Sequence, residues 1–361
     1  MIKPIKVLIV DDSPLMRKLI SSLFKNINAI EVVGTAMNGI FALQKLGSLK
    51  PDVIILDIEM PYMNGIEFLK EKKKLKDYTP VIILSSLAHK GAKITMQALS
   101  LGAMDFILKP SDSVPQEIHK VREHLIQLVY AYGRKKQKKD RQSLASISIE
   151  DEKKAPTPSI SPKPITPIRK PGEIEIVTIG ISTGGPRALR SIFKHLIPTI
   201  SVPIIVVQHM PPGFIEEFAI SLNKICALEV KQAQNGDILT PGRVLIAPAD
   251  YHIEVENRPL ARIIKLSNSK PVNGHRPSVG VLFLSIATLY KNHCMAIIMT
   301  GMGKDGAEEI GSIYKEGGLT IAQDRETSII FGMPRVAINK GYIHKVVSLK
   351  EIPEIINNVN N

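Results

Sequence analysis

Short runs of aliphatic and β-branched residues recur along the chain, each closed by polar or glycine-rich positions and followed by a stretch with helical spacing. In the first third, Lys6 to Val10, Val32 to Thr35, Val53 to Leu56, Val81 to Leu84 and Phe106 to Leu108 read as five strands. The first and last of the intervening helices are expected from about Pro14 and about Val114. Strands alternating with helices predict an α/β unit with a doubly wound parallel sheet. The pattern resumes with Ile176-Val177-Thr178-Ile179-Gly180-Ile181, Ile204-Ile205-Val206-Val207-Gln208, Ala296-Ile297-Ile298-Met299-Thr300 and Thr320 to Ala322. Such uninterrupted apolar runs suit parallel strands covered on both faces, so a second α/β parallel-sheet domain is expected over residues 172–361.

Between the two, residues 134–171 break the pattern. Arg134-Lys135-Lys136-Gln137-Lys138-Lys139 is followed by serines and then by Pro156, Pro158, Pro162, Pro164, Pro167 and Pro171. This composition predicts an extended, mobile linker separating a domain over 1–133 from one over 172–361. As a flexible chain it would span roughly 33 Å r.m.s.. The segment Arg134–Lys170 also holds 11 Lys/Arg against 4 Asp/Glu, more than half of the net +13 of the 361-residue chain. A domain that binds DNA through this charge, or a non-catalytic scaffold, is the alternative reading. No compact recognition-helix module is visible after residue 174, which speaks against DNA, and no nucleic-acid partner is expected. No apolar run approaches the ~20 residues of a membrane span, so a cytoplasmic protein without membrane insertion is expected. Cys226 and Cys294, the two cysteines, read as structural thiols.

The chemistry of the second half gathers behind its strands. Gly180-Ile181-Ser182-Thr183-Gly184-Gly185-Pro186 places a serine where a strand turns into a helix, with its hydroxyl presented and backbone N–H groups beside it. The next apolar run delivers His209, and a later one delivers Gly301-Met302-Gly303-Lys304-Asp305-Gly306. Loops after the strands of an open α/β sheet share one crevice, so Ser182, His209 and Asp305 can meet as nucleophile, general base and orienting acid. Their order excludes a standard α/β-hydrolase, in which the acid precedes the histidine. Ser182 also stands where a dinucleotide fingerprint needs its second glycine. His252 and His275 are rival bases, Arg276 a substrate or carboxylate partner, and Asp324 a turn cap.

In the first half, Asp11-Asp12, Asp57, Ser85 and Lys109-Pro110 follow successive strands. Oxygen ligands beside a lysine suit a hard cation. This ordered set resembles the receiver domain of two-component response regulators, a flavodoxin-like fold, over residues 4–130. The resemblance implies that Asp57 accepts phosphate, that Asp11, Asp12, Asp57 and the Glu59 carbonyl hold Mg²⁺, that Lys109 pairs with the phosphoryl group, and that Ser85 and Phe106 switch on phosphorylation.

The second half carries Gln208-His209-Met210-Pro211-Pro212-Gly213-Phe214, Ile246-Ala247-Pro248-Ala249-Asp250-Tyr251-His252, Asn273-Gly274-His275-Arg276-Pro277-Ser278-Val279, the turn Thr300 to Ala307, and Gly332-Met333-Pro334. These motifs resemble the chemotaxis protein-glutamate methylesterase family over about residues 174–355. The resemblance implies a phosphorylation-regulated hydrolase that removes methyl groups from glutamyl esters of chemoreceptors and deamidates receptor glutamines. It implies Ser182, His209 and Asp305 as triad, Thr183 and Met302 backbone N–H groups as oxyanion hole, methyl-accepting chemotaxis receptors as substrates and a chemotaxis histidine kinase as phosphodonor. No cofactor is expected in this domain. One departure is Gly280, where the family often has aspartate.

Overall fold

The computed structural model describes residues 3–86, 89–109, 115–145, 167 and 169–360, which pack as two units, Met1–Pro156 and Thr157–Asn361. In the first, strands β1 (Ile5–Val10), β2 (Ile30–Ala36), β3 (Val53–Asp57), β4 (Val81–Ser85) and β5 (Asp105–Leu108) alternate with helices α1 (Pro14–Leu23), α2 (Gly39–Leu49), α3 (Gly65–Lys74), α4 (His89–Ser100) and α5 (Pro115–Ala145). The sheet runs β2-β1-β3-β4-β5 and is parallel throughout. Residues of β3 and β4 are buried on both faces, which is why these strands read as unbroken Val/Ile/Leu. Strand order reverses direction between β1 and β3, and a crevice opens there at the strands' carboxyl ends.

The basic run from Arg134 is not extended. It forms the last third of α5, a helix of 31 residues. Lysine, arginine and glutamine are good helix formers whatever their net charge, and Lys136 pairs with Asp140 at 3.0 Å one turn on. Arg134 donates to the Lys3 carbonyl, and Gln137 Nε2 donates to the Pro4 carbonyl and to Asp52. At the other end, Arg169 pairs with Glu316 and the Lys170 carbonyl accepts from Asn292, so these residues are held by the second unit. Residues 146–166, which include Pro156, Pro158, Pro162 and Pro164, lie outside the described residues.

The second unit contains β6 (Ile176–Ile181), β7 (Ile204–Gln208), β8 (Glu229–Gln232), β9 (Arg243–Ile246), β10 (His252–Asn257), β11 (Arg262–Ser267), β12 (Cys294–Ile298), β13 (Leu319–Gln323) and β14 (Lys345–Val347). Its helices are α6 (Gly185–Phe193), α7 (Phe214–Asn223), α8 (Val279–Tyr290), α9 (Ile310–Glu316), α10 (Met333–Asn339) and α11 (Ile352–Asn357). Seven strands form one sheet, β14-β13-β12-β6-β7-β9-β8, parallel throughout. Strands β10 and β11 make a separate antiparallel hairpin. Its buried Ile253, Val255 and Ile264 belong to the same apolar cluster as Leu282, Phe283 and Ile286 of α8. Strands β12, β6 and β7 are adjacent at the centre, with Ile298 opposite Gly180 and Ile181 opposite Gln208. Their carboxyl ends are therefore level, and the loops that leave them converge. Among the described residues, no helix is long and apolar enough to cross a membrane.

Candidate active site

At the end of β6 the chain turns sharply into α6 with Gly184 at φ +80°, a conformation that favours glycine. Ser182 sits on this turn, almost covered. Its N–H donates to the Thr300 carbonyl, which extends the pairing of β6 with β12 past the last strand residue. On the other side the His209 N–H donates to the Ile181 carbonyl, extending the pairing with β7. Both side chains are thus delivered by backbone ladders. His209 Nδ1 lies 3.1 Å from Ser182 Oγ, and its Nε2 lies 2.9 Å from Asp305 Oδ2. An ionised carboxylate only accepts, so Nε2 carries the proton and Nδ1 presents a lone pair to the hydroxyl.

Asp305 is 1 % exposed. Besides His209, it accepts from the Val279 N–H (2.7 Å), Ser278 Oγ (2.6 Å) and Asn273 Nδ2 (3.2 Å). Burial alone would raise its pKa, but the His209 ring and the Ser278 and Val279 donors outweigh burial and hold it down to about 2. Val279 and Ser278 are the first residue and N-cap of α8, so the carboxylate also benefits from the positive end of that helix.

Thr183 and Met302 lie on the two turns that meet at the nucleophile. Thr183 follows it in sequence, and Met302 follows Gly301, where a Cβ would stand 2.8 Å from Ser182 Cβ. Glycine is needed at 301 for this approach. Among the described residues, neither the Thr183 nor the Met302 N–H is bonded to a backbone carbonyl. Thr300 Oγ1 donates to the Thr183 carbonyl and accepts from the Ile329 and Ile330 N–H groups, which ties the two turns together.

The rival residues find other places. His252 is fully buried, its Nδ1 accepting from the Ser278 N–H and its Nε2 donating to the Lys270 carbonyl, so neither nitrogen is available as a base. His275 stacks on His209, ring centroids 3.9 Å apart and planes within 13°. The ligand atoms of His209, His275 and Asp305 lie within 4.8 Å of one another. Parallel rings, however, cannot turn two in-plane lone pairs toward one ion. Arg276 donates to the Asn268 and Ser269 carbonyls rather than to a carboxylate. Asp324 accepts from Thr327 N and Oγ1 and caps its turn. At Gly280 a Cβ would stand 2.7 Å from the carboxyl carbon of Glu309, which fills the space a side chain would take. Asn273, Ser278 and Val279 lie in a stretch already prominent as a motif, but their bonds to Asp305 bridge 26 to 32 residues and no local signal reveals them.

In the first unit the strand ends gather a second cluster. Asp11 and Asp57 are buried, and carboxylate oxygens of Asp11, Asp12 and Asp57 all lie within 4.8 Å of one another. Lys109 Nζ reaches both Asp57 (2.7 Å) and Asp11 (3.1 Å). Burial pushes Asp57 up to about 6, with the neighbouring Asp11 charge adding to it, against the pull of Lys109 and the Ile58 N–H. A small cleft lined by Asp57, Ile58, Glu59, Ser85 and Lys109 opens above it. Three carboxylates without nitrogen or sulfur ligands fit a hard divalent cation such as Mg²⁺. The Ser85 hydroxyl lies 2.7 Å from Thr95 Oγ1, and Phe106 is buried.

A Ser-His-Asp constellation on a parallel sheet, in one chain with a five-stranded doubly wound unit bearing a buried aspartate cluster, describes a receiver-linked hydrolase architecture. The CheB methylesterase model matches residues 177–356 and the response regulator receiver domain model residues 7–121. A protein-glutamate methylesterase/protein-glutamine glutaminase of Treponema denticola is 50% identical over 98% of this chain and 97% of its own. That of Treponema pallidum is 45% identical over 98% and 96%. The solved catalytic domain of the Thermotoga maritima CheB methylesterase is 41% identical, with a TM-score of 0.50, and covers 51% of this chain and 97% of that domain. The chain belongs to the CheB methylesterase family, with an N-terminal response regulator receiver domain.

Proposed function

We propose that the chain hydrolyses γ-methyl esters of glutamate, and deamidates glutamines, on methyl-accepting chemotaxis receptors. The observation that carries this reading is the hydrogen-bonded line Ser182–His209–Asp305 at 3.1 and 2.9 Å, in a chain so similar to proteins named for that activity. His209 Nδ1 takes the Ser182 proton as Oγ attacks the side-chain carbonyl. The Thr183 and Met302 N–H groups receive the charge that develops on the carbonyl oxygen. The imidazolium then returns its proton to the leaving group, which departs as methanol or ammonia. Water, activated by the same ring, attacks the acyl-serine and releases the glutamate. Asp305, ionised throughout, holds the proton on Nε2 and stabilises the cationic ring.

In the receiver, Asp57 is the phosphoacceptor and a chemotaxis histidine kinase the donor. Asp11, Asp12, Asp57 and the Glu59 carbonyl would hold Mg²⁺, which supplies charge neutralisation when bound. Lys109 and Ser85 offer a cation and a hydroxyl to the phosphoryl oxygens, and withdrawal of Ser85 from Thr95 repacks the Phe106 face. The unphosphorylated receiver restrains the hydrolase. Methanol release from methylated receptor, with and without a small phosphodonor and Mg²⁺, tests the reading. The wild type should be active and stimulated, and Ser182→Ala should lose on the order of 10³-fold or more. A folded Ser182→Ala protein with near-normal hydrolysis would exclude the mechanism.

A further inference from the structure

Gln208 is the last residue of β7 and directly precedes His209. Its side chain is 2 % exposed and runs beneath the Ser182 turn instead of into the crevice. There the amide nitrogen donates to two carbonyls, that of Ser182 at 3.1 Å and that of His209 at 2.8 Å. A primary amide carries two N–H bonds, and here each is spent on a different chain segment. Resting on the assignment of Ser182 and His209 as nucleophile and base, we propose that Gln208 is a positioning residue that clamps their main chains together and sets the plane of the Ser182–Thr183 peptide.

That plane matters because a peptide group is rigid, with its carbonyl and N–H pointing opposite ways. The Ser182 carbonyl is pinned from below by Gln208 and by the Gly185 N–H at 2.8 Å. The Thr183 N–H of the same peptide is thereby aimed to the other side, where the oxyanion forms. Pinning His209 by the same amide fixes the base relative to that donor.

Two further observations support the clamp. Gln208 Oε1 is buried and accepts no hydrogen bond among the described residues. The amide thus contributes its donors alone, and an apolar side chain of equal length would fill the space without an orphaned oxygen. A Cβ at Gly185 would stand 1.8 Å from that oxygen. The two glycines of the turn therefore serve different ends: Gly184 supplies the positive φ, whereas Gly185 makes room for Gln208.

The test uses the full chain with Gln208→Met, which keeps length and volume, and Gln208→Glu, which keeps shape; both remove the donors. The first readout is the rate at which a fluorophosphonate labels Ser182. The second is kcat and KM for methanol release from methylated receptor. In whichever variant folds, labelling and kcat should fall roughly 10- to 100-fold with KM changed less than about twofold, as for a misplaced oxyanion donor. Gly185→Ala should show the same split, and combining it with Gln208→Met should add little. A folded Gln208→Met or Gln208→Glu protein that is labelled and turns over like wild type overturns the clamp, as does a rise in KM at unchanged kcat. Failure of the wild type to label at Ser182, with Ser182→Ala as control, removes the nucleophile assignment instead, and the clamp with it.

Discussion

Asp57 and Asp305 are both buried carboxylates delivered by the carboxyl ends of central parallel strands, one in each unit, yet their surroundings drive them apart. Asp305 accepts from an imidazole, a hydroxyl, an amide side chain and a backbone N–H, and is held down to about 2. Asp57 has the Ile58 N–H and a lysine that it shares with Asp11, and burial pushes it up to about 6. Burial is common to both; the number of donors differs, and Asp57 also faces the like charge of Asp11. A fully served carboxylate suits a permanent charge that holds a cationic ring. An under-served one remains open to a cation and a phosphoryl group. The contrast teaches that two equally buried carboxylates are driven apart by how many donors serve them and by whether a like charge stands beside them.

The strongest way to break the contrast is Asp305→Asn, which preserves shape and reverses the donor logic at Nε2. It should lower kcat for methanol release on the order of 10⁴-fold with the fold intact. Asp57→Asn should act in the opposite sense on stability. The folded-state pKa of Asp57 lies above the ordinary 3.8, so the native state binds its proton more tightly. The stability this gives is present below about pH 4 and lost as pH rises through about 6. At pH 7 Asp57→Asn should therefore stabilise the receiver by up to about 3 kcal/mol, the Lys109 attraction being already contained in the folded-state value, and the gain should vanish near pH 4. Unfolding followed at both pH values checks the sign. Ser278→Ala removes one donor from Asp305 and should cost about tenfold in kcat while moving the Asp305 pKa upward, read by NMR titration of the Asp305 carboxyl carbon. The smallest effect is expected from Mg²⁺: at about ten times its Kd it should stabilise the wild-type receiver by about 1.4 kcal/mol. Chelation should abolish that gain, and Asp57→Asn should lack most of it.

Much of this was legible in the sequence because parallel strands buried on both faces spell themselves out as apolar runs, and the loop after each run borders the crevice. Ser182, His209 and Asp305 are brought together as that rule implies. Less legible were the polar edge strand β8 and the β10–β11 hairpin, whose half-exposed positions alternate with charges and resemble loop. The helical end of α5 was masked by reading basic charge as a sign of extension. His275 read as a competitor of His209 and proves to be its stacking neighbour. The Asn273 and Ser278 bonds to Asp305 depend on where α8 begins relative to β12, a relation that exists in space alone.

Gly280 and Glu309 occupy, between them, one side chain's worth of room. A coupling between the two positions follows from that. An aspartate at 280 would meet the Glu309 carboxyl group with like charge, so Glu309, whose flexible end stands in the way, must swing aside or shorten. Positions 280 and 309 should therefore change as a pair, and a relative bearing aspartate at the first should carry a smaller or redirected side chain at the second.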